Sequence, residues 1–240
     1  MSLETPRTLS VIVVDDHPAV RDAVGHAVGA QSDMALVGGA GSAAEAFELA
    51  RRARPDVAVV DISLGDAHGL DLVQTLRAER PGLAIVVFSM YDEAVYAERA
   101  LRAGAMAYVR KTEPTATVLD AVRSAAAGDI YLARRAASRI LARVALGGGS
   151  SSSAVGGDGA ASSAQLDELT DREMAVFQLL GQGRGPDDIA DHLNLSRKTV
   201  ETYRRRAKEK LGFESVTELL QFAIRWTYAQ AGGVGSYSPE

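Results

Sequence analysis

Residues 9–16 read LSVIVVDD, a mostly apolar run that ends in two aspartates. Four more short apolar runs follow it: Ala35–Gly39, Val57–Val60, Ala84–Phe88 and Ala107–Val109. Segments with helical periodicity separate these runs. Because continuous Val/Ile runs are typical of strands covered on both faces, the pattern predicts a five-fold βα repeat, an α/β fold with a parallel sheet between helices.

A composition change divides the chain into two parts. Residues 147–164 read GGGSSSSAVGGDGAASSA, which is too small and polar to form a core and predicts a flexible tether. Beyond it no strand pattern remains, and capping signals predict a small all-α domain of four helices. The predicted organisation is an α/β domain at 1–133, a helical extension and Gly/Ser-rich linker at 134–165, the helical domain at 166–230 and a flexible tail at 231–240.

The bulk composition argues against a disordered, collagen-like, disulfide-stabilised or membrane-spanning protein. The hydrophobic and charged fractions, 47% and 24%, are typical of globular proteins. There is no cysteine, the four histidines are scattered, and no apolar run approaches the roughly 20 residues that cross a bilayer. No signal peptide is apparent, so we expect a cytoplasmic protein without a membrane partner.

Reactive side chains stand where the predicted strands end. These residues are Asp15, Asp16, Asp61, Ser89 and Lys111. Because ligands of open parallel sheets bind beyond the carboxyl ends of the strands, we expect them to converge. Three close carboxylates need a cation, and oxygen-only ligands favour Mg²⁺. The set suits phosphoryl transfer to a carboxylate, with Lys111 and Ser89 holding phosphoryl oxygens.

Each of these residues also has an ordinary explanation. Asp15 or Asp16 could cap a helix, Ser89 could be a turn residue and Lys111 could be solvent-exposed. A competing motif, Gly39-Ala-Gly41-Ser-Ala-Ala44, loosely fits a dinucleotide fingerprint, but it follows the second strand and is explained by a turn into a capped helix.

Four segments resemble the receiver domain of two-component response regulators: VVDDHPAVR, VVDISLGDAHGLDL, VVFSM and GAMAYVRK. The resemblance covers about residues 8–130 and implies a flavodoxin-like fold with strand order 2-1-3-4-5. It implies that Asp61 is the phosphoacceptor and that Mg²⁺ is held by Asp15, Asp16, Asp61 and the Ser63 carbonyl. It also implies that Lys111 is the lysine typical of the family's site and that Ser89 and Tyr108 are the switch pair. Gly65 replaces the proline usual in the family, and Ser63 and Tyr91 stand where the family tunes dephosphorylation.

A basic helix is predicted after the tether. Segment 197–210 carries seven basic and two acidic residues, a balance of 7 − 2 = +5 in a chain whose net charge is −5. Pro186–Leu193 and Ser196–Leu211, joined by a turn at Asn194-Leu195, have the spacing of a helix-turn-helix. A core stripe on the second helix leaves a charged face for a major groove, comprising Lys198, Glu201, Thr202, Arg205, Arg206 and Glu209.

The stretch LTDREMAVFQLLGQG…IADHLNLSRKTVETYRRRAKEKLG resembles the LuxR-type helix-turn-helix of NarL/FixJ-class regulators over about residues 166–228. The resemblance implies that Glu201, Thr202 and Arg205 face base edges. It implies phosphate contacts for Ser196, Arg197, Lys198, Thr199 and Arg206. Two departures, Glu201 in place of a usual lysine and Gly185-Pro186-Asp187, could weaken or redirect DNA binding.

Together the two resemblances imply a phosphorylation-dependent transcriptional regulator. Its expected partners are a sensor histidine kinase, double-stranded promoter DNA with inverted half-sites, and a second copy of the chain when phosphorylated. The last helix, Val216 to Tyr228, carries an apolar stripe that either dimerises or packs into the core. We expect no enzymatic activity beyond self-phosphorylation from a phosphodonor and slow autodephosphorylation. An aspartyl-phosphate hydrolase and a constitutive DNA binder are the alternatives.

Overall fold

The computed structural model divides into two compact units, one up to residue 147 and one from residue 148 onward. It describes residues 7–64, 67–145, 166, 168–193 and 195–230. The predicted tether at 147–164, the tail at 231–240, Gly65 and Asn194 lie outside the described residues.

The N-terminal unit is built on a parallel sheet of five strands. Its strands are β1 (Leu9–Val14), β2 (Met34–Ala40), β3 (Val57–Val60), β6 (Ala84–Ser89) and β7 (Ala107–Arg110). The order is β2-β1-β3-β6-β7, so the predicted order 2-1-3-4-5 and the flavodoxin-like fold class are confirmed. Two short antiparallel strands, β4 (Ser63–Leu64) and β5 (Ala67–His68), form a separate pair after β3.

Helices cover both faces of the sheet because its strands are apolar on both faces. They are α1 (Pro18–Gly29), α2 (Ala43–Ala53), α3 (Gly69–Glu79), α4 (Glu93–Ala103), α5 (Thr115–Ala127) and α6 (Arg134–Ala145). Alternate strand residues such as Val11 and Val59 pack with α1 and α5, and each buried Val contributes about 1.5–3 kcal/mol. Helices α2, α3 and α4 pack against one another in order.

The turn from β2 into α2 has the predicted cap. Ser42 Oγ accepts a hydrogen bond from Glu45 N at 3.2 Å, and Gly41 N donates to Glu45 Oε2 at 2.8 Å. Gly41 and Ser42 therefore form the turn that begins α2, and this explains the glycine pattern without a dinucleotide-binding motif.

Residues before α6 extend the sheet beyond β7. Tyr131 N donates to Met106 O at 2.9 Å, and Tyr108 N donates to Tyr131 O at 3.1 Å. Ala133 N then donates to Glu93 Oε1, at the start of α4, at 2.7 Å. The start of α6 is therefore attached both to the edge strand and to α4.

The C-terminal unit is all helical over its described residues. Its helices are α7 (Asp171–Gly181), α8 (Pro186–Leu193), α9 (Arg197–Lys210) and α10 (Val216–Gln230). Thr170 and Glu173 form the predicted capping box, and Gly212, at φ 73°, follows the end of α9 in the left-handed conformation that glycine adopts readily. Helix α7 packs against both α9 and α10.

An aromatic cluster and an ion pair join α7 to α10 and to α9. Phe177 lies 5.6 Å from Phe222 and 5.5 Å from Trp226, measured between ring centroids. The buried carboxylate of Glu173 contacts Lys210 Nζ at 2.7 Å, which joins the start of α7 to the end of α9. In the part of the chain that the structure describes, no helix combines the length and the apolar character needed to span a bilayer.

Candidate functional site

The ends of four strands bring the predicted acidic and basic side chains together. Backbone hydrogen bonds extend the parallel ladder one residue past the strands: Asp61 N donates to Val14 O at 2.8 Å, and Lys111 N donates to Ser89 O at 2.8 Å. With the backbone fixed in this way, Lys111 Nζ lies 2.5 Å from Asp15 Oδ2 and 2.7 Å from Asp61 Oδ2. Residues separated by up to 96 positions therefore share one pocket, since 111 − 15 = 96.

Burial makes the charges in this pocket costly. Asp15, Asp61 and the Lys111 side chain are 2%, 3% and 8% exposed, so the alternative of a solvent-exposed Lys111 is wrong. Burial raises the pKa of Asp61 to about 6, the Lys111 charge opposes the rise, and Asp15 adds to it. For Lys111 burial lowers the pKa, but the charges of Asp61 and Asp15 outweigh it and the pKa is raised. The lysine is the counterion of both carboxylates.

The second oxygen of Asp61 is the feature that fits a bound cation. Asp61 Oδ1 is buried and accepts no hydrogen bond from the described residues. A buried acceptor without a partner is uncommon, and it points to a group that completes it. The donors around it are carboxylate oxygens, which Mg²⁺ prefers. The residues present therefore fit a magnesium ion.

Asp16 lies at the open side of the same pocket, with a side chain 21% exposed. His17, the next residue, places Nδ1 at 2.6 Å from Asp16 Oδ1 and at 3.5 Å from Asp15 Oδ1. Its backbone N–H donates to Asp15 Oδ1 at 2.9 Å, so the two aspartates and His17 form one cluster. The four histidines are scattered along the sequence, which hides that His17 adjoins Asp15 and Asp16.

The predicted switch residues, Ser89 at the end of β6 and Tyr108 in β7, are both hydrogen-bonded to the loop that leads from β6 into α4. Ser89 is buried, and its Oγ accepts a hydrogen bond from Tyr91 N at 3.3 Å. The buried hydroxyl of Tyr108 donates to Tyr91 O at 3.0 Å. Burial raises the pKa of Tyr108 well above its ordinary value, which keeps this hydroxyl protonated and able to donate.

The side chains of Ser63 and Tyr91 are also in contact. Ser63 Oγ donates to the Tyr91 hydroxyl at 3.1 Å, and the Tyr91 ring stacks on Tyr96 with centroids 4.8 Å apart. Ser63 lies two residues after Asp61, and Tyr91 lies two residues after Ser89. A role for the Ser63 carbonyl as a metal ligand stays a prediction.

Gly69 is a functional position that no sequence pattern singled out. A Cβ at Gly69 would lie 2.0 Å from the carbonyl oxygen of Asp61 and 2.7 Å from Ile62 Cα. Gly69 N also donates to Ile62 O at 2.7 Å. Only glycine allows this approach, so Gly69 fixes the backbone that carries Asp61. Its place inside the quoted segment VVDISLGDAHGLDL was the available signal.

The second candidate surface is the exposed side of α9. Val200 and Ala207 are fully buried, while the predicted groove-facing side carries half-buried and exposed polar residues: Lys198, Glu201, Thr202, Arg205, Arg206 and Glu209. Ser196 caps α9, since its Oγ accepts from Thr199 N at 3.1 Å. Leu195 N donates to Ala190 O at 2.8 Å, which closes the connection from α8.

Acidic neighbours pair with several basic residues of α9. The pairs are Arg197–Asp187 at 3.0 Å, Arg204–Glu201 at 3.3 Å and Arg205–Glu209 at 3.0 Å. Asp187 and Glu201 are the two acidic departures noted in the sequence. Exposed pairs of this kind contribute about 0–1 kcal/mol, so a DNA phosphate can displace them at little cost.

Comparison with known proteins assigns the family. The family model described as response regulator receiver domain matches residues 11–123, and the one described as bacterial regulatory proteins, luxR family, matches residues 167–223. The chain belongs to the LuxR-family response regulators. The resemblance stated from the sequence motifs is therefore confirmed for both domains.

Relatives of this response regulator match it over nearly the whole chain. The DNA-binding transcriptional activator DevR/DosR of Mycobacterium tuberculosis is 35% identical over 230 residues, covering 95% of this chain and 99% of the relative. The positive transcription regulator BvgA of Bordetella pertussis is 32% identical and covers 90% of this chain and 96% of its own. A LuxR-family response regulator structure from Aurantimonas has a TM-score of 0.54 at 29% identity, covering 57% of this chain and 99% of its own. This response regulator is thus a DNA-binding transcriptional regulator, in a family that phosphorylation controls.

Proposed function

We propose that Asp61 accepts a phosphoryl group from a sensor histidine kinase and that the acyl phosphate controls DNA binding by the C-terminal domain. The observation that carries the proposal is the buried Oδ1 of Asp61, which has no partner in the described part of the chain and lies on a side chain paired with the Lys111 ammonium. In the transfer, a carboxylate oxygen of Asp61 forms a bond to phosphorus as the phosphorus–nitrogen bond to the kinase imidazole breaks. The imidazole leaves with a proton, and Asp61 carries an acyl phosphate.

The ionisation of Asp61 sets the conditions for this step. Its burial raises its pKa to about 6, so the nucleophilic carboxylate is the main form above that pH. Asp15, Asp16, Asp61 and the Ser63 carbonyl would hold Mg²⁺, which neutralises charge on the phosphoryl oxygens when bound. Lys111 Nζ, already at 2.7 Å from Asp61, is within reach of a phosphoryl oxygen on that side chain.

The loop between β6 and α4 supports a proposed route from the phosphoryl group to the rest of the receiver domain. The acyl phosphate adds up to about two negative charges, which the Ser89 hydroxyl and Lys111 would contact. Ser89 Oγ accepts from Tyr91 N and the Tyr108 hydroxyl donates to Tyr91 O, so a shift of Ser89 would reach Tyr108 through the backbone of Tyr91. We propose that Ser89 and Tyr108 change together on phosphorylation.

In the DNA-binding domain we propose that α9 enters the major groove. Glu201, Thr202 and Arg205 would contact base edges, and the residues at the start of α9 would contact phosphates: Ser196, Arg197, Lys198 and Thr199, with Arg206 further along. The half-buried and exposed positions of these side chains support this role. A glutamate at 201 would accept from a cytosine amino group.

A homodimer would place two such helices on inverted half-sites. Helix α10 supports this arrangement because its stripe is divided between two faces. Leu219 and Ala223 are buried, whereas Val216, Ile224 and Tyr228 are 39%, 41% and 75% exposed. Ile224 and Tyr228, four residues apart, lie on a different face from Leu219 and Ala223, and this exposed face is the proposed dimer contact. We propose the predicted domain bounds, 1–133, 134–165, 166–230 and 231–240, for this regulator.

Phosphoryl acceptance is tested by incubating the metal-free protein with acetyl phosphate, with and without Mg²⁺. Asp61→Asn should abolish labelling, while the matched control Asp56→Asn, an aspartate beyond the other end of the strands, should be labelled as the wild type is. Labelling should need Mg²⁺. Labelling of Asp61→Asn at the wild-type level would refute Asp61 as the phosphoacceptor. Labelling without Mg²⁺ would refute the proposed requirement for the ion.

DNA binding is tested by selecting sites from random duplex DNA with and without beryllofluoride. Preferred sites should be inverted repeats, and beryllofluoride should increase both affinity and dimer mass. Arg205→Ala should relax the sequence preference, whereas Lys198→Ala should reduce the salt slope by about one unit. Affinity that beryllofluoride does not change would favour a constitutive binder.

A further inference from the structure

Glu93, the first residue of α4, is buried, and its carboxylate contacts a different helix. Its Oε1 accepts a hydrogen bond at 2.7 Å from the backbone N–H of Ala133, the residue before α6. Ala133 O accepts from Ala137 N at 3.1 Å, as the carbonyl of a capping residue does, but an alanine side chain cannot cap. The first turn of α6 has no acidic residue either. Glu93 therefore supplies an acceptor that α6 does not have in its own first turn.

The segment before α6 is fixed at two points of different kinds. Tyr131 belongs to the edge of the sheet, because its N–H donates to Met106 O at 2.9 Å and its carbonyl accepts from Tyr108 N at 3.1 Å. Ala133, two residues later, is held by Glu93 of α4. Two residues of chain span about 7 Å at most, so Ala133 cannot follow α4 far while Tyr131 stays on the sheet. A movement of the start of α4 would therefore lengthen or break the Glu93–Ala133 hydrogen bond.

The loop 90–92 connects the start of α4 to the phosphoacceptor site. Ser89 precedes this loop, and its Oγ accepts a hydrogen bond from Tyr91 N at 3.3 Å. Glu93 follows Tyr91 by two residues. Under the proposed function the Ser89 hydroxyl turns to a phosphoryl group on Asp61, so Tyr91 N loses its acceptor. The loop and the start of α4 are then free to move with Ser89.

We propose that Glu93 is a positioning residue that couples the phosphoryl state of Asp61 to the attachment of α6, and that phosphorylation weakens its bond with Ala133. The inference rests on the proposed function, since it needs a phosphoryl group on Asp61. Because α6 is the last described helix of the N-terminal unit, its attachment fixes where the chain leaves the receiver domain. Coupling between two sites is reciprocal, so an attachment that a phosphoryl analogue weakens must in turn oppose binding of the analogue.

The test follows amide exchange by nuclear magnetic resonance in the full chain, with Mg²⁺ and with beryllofluoride as the phosphoryl analogue. In the wild type beryllofluoride should accelerate exchange at Ala133 by about threefold or more. In Glu93→Ala this exchange should be fast without beryllofluoride and should not change on its addition. The beryllofluoride midpoint, the concentration that half-converts residues 90–92, should fall by about threefold to tenfold in Glu93→Ala.

Two variants separate this role from a loss of stability alone. A merely structural Glu93 would accelerate exchange in Glu93→Ala but would not lower the beryllofluoride midpoint. Glu93→Gln keeps an oxygen acceptor at the same place, so its exchange response and its midpoint should match those of the wild type. Glu218→Ala removes a similar hydrogen bond in the other unit, where Glu218 Oε2 accepts from Glu214 N at 3.0 Å. This control should leave the midpoint unchanged.

Three outcomes would overturn the inference. They are an unchanged midpoint in Glu93→Ala, a midpoint in Glu93→Gln that falls as far as in Glu93→Ala, and wild-type exchange at Ala133 that beryllofluoride does not alter. If beryllofluoride changes residues 90–92 of the wild type but not Ala133, the role of Glu93 fails alone. If it changes neither segment, the proposed function fails and this inference fails with it.

Discussion

Replacing Asp61 with asparagine should stabilise the metal-free protein at neutral pH. The Asp61 carboxyl group is 3% exposed, and burial raises its pKa to about 6 from an ordinary value of 3.8. The folded state therefore keeps a proton on Asp61 that the unfolded chain releases. Asparagine has nearly the same shape and carries no charge, so it avoids the cost of ionising a buried group.

The sign and size follow from the two pKa values. Below pH 3.8 both states are protonated and Asp61 costs nothing. Between pH 3.8 and about 6 the folded state binds more protons, so the free energy of unfolding falls as the pH rises. Above this window the full cost remains, at most about 3 kcal/mol for a rise of roughly two pKa units. At pH 7.5 this corresponds to a gain in Tm of about 4–12 °C for Asp61→Asn in a domain of this size.

Thermal unfolding of the receiver transition in EDTA, measured from pH 4 to pH 8, checks this prediction. The gain of Asp61→Asn over the wild type should be near zero at pH 4 and should grow with pH. Saturating Mg²⁺ should reduce it, since the ion stabilises the wild type more. A variant less stable than the wild type at pH 7.5 would show that burial does not dominate the free energy of Asp61.

Asp56→Asn is the control of opposite sign. Burial raises the pKa of Asp56, but hydrogen bonds from Ser10 and the charge of Arg7 outweigh it, and the pKa is lowered. The Asp56 carboxylate therefore stabilises the fold above its unfolded pKa, and this contribution is lost as the pH falls through its folded pKa. Asp56→Asn should lower Tm at pH 7.5.

Three further substitutions test other contacts. Gly69→Ala should destabilise the receiver by more than about 3 kcal/mol in urea melts, because its Cβ would lie 2.0 Å from a backbone oxygen. The control is Gly82→Ala, whose new Cβ would meet no described atom within 4 Å. Its stability should stay within about 1 kcal/mol of that of the wild type. Glu93→Ala removes the acceptor of Ala133 N, so amide exchange should accelerate at the start of α6, at a cost of about 1 kcal/mol. Thr170→Ala breaks the capping box of α7 and should cost the DNA-binding domain about 1 kcal/mol in thermal unfolding.

The central strands could be predicted from the sequence because their burial leaves a continuous apolar signal. Leu9–Val14 and Val57–Val60 have the predicted bounds, and β2, β6 and β7 are longer than predicted by one or two residues. The β4–β5 pair was missed since two-residue strands have no periodicity to detect. The attachment of Tyr131 to β7 is a single bridge between distant segments, and no local pattern marks it.

At the acidic site the sequence predicted which residues would meet, because parallel strand ends share an edge. It could not predict the partners of each atom. Side-chain rotamers decide that Lys111 contacts two carboxylates while one oxygen of Asp61 has no partner among the residues that the structure describes. The same holds for the hydroxyl of Tyr108, which donates to a backbone carbonyl of the loop after β6.

In the DNA-binding domain, three of the four residues predicted to form the core stripe of α9 are buried, Val200, Ala207 and Leu211, and the fourth, Tyr203, is half-buried. The net charge of +5 along this helix does not reveal that several of its basic side chains are paired with acidic ones. Glu201 pairs with Arg204 inside the helix, and Asp187 reaches Arg197 from α8, ten positions away. Charge counting along a segment does not include acids that the fold brings in from elsewhere.

The Lys111 ammonium between Asp15 and Asp61 gives the receiver a permanent counterion that cannot diffuse away. If phosphoryl transfer to Asp61 needs a divalent cation, as proposed, a cell depleted of such ions should hold this regulator folded but unphosphorylated. Resupply of the ion should then allow phosphorylation without new protein synthesis.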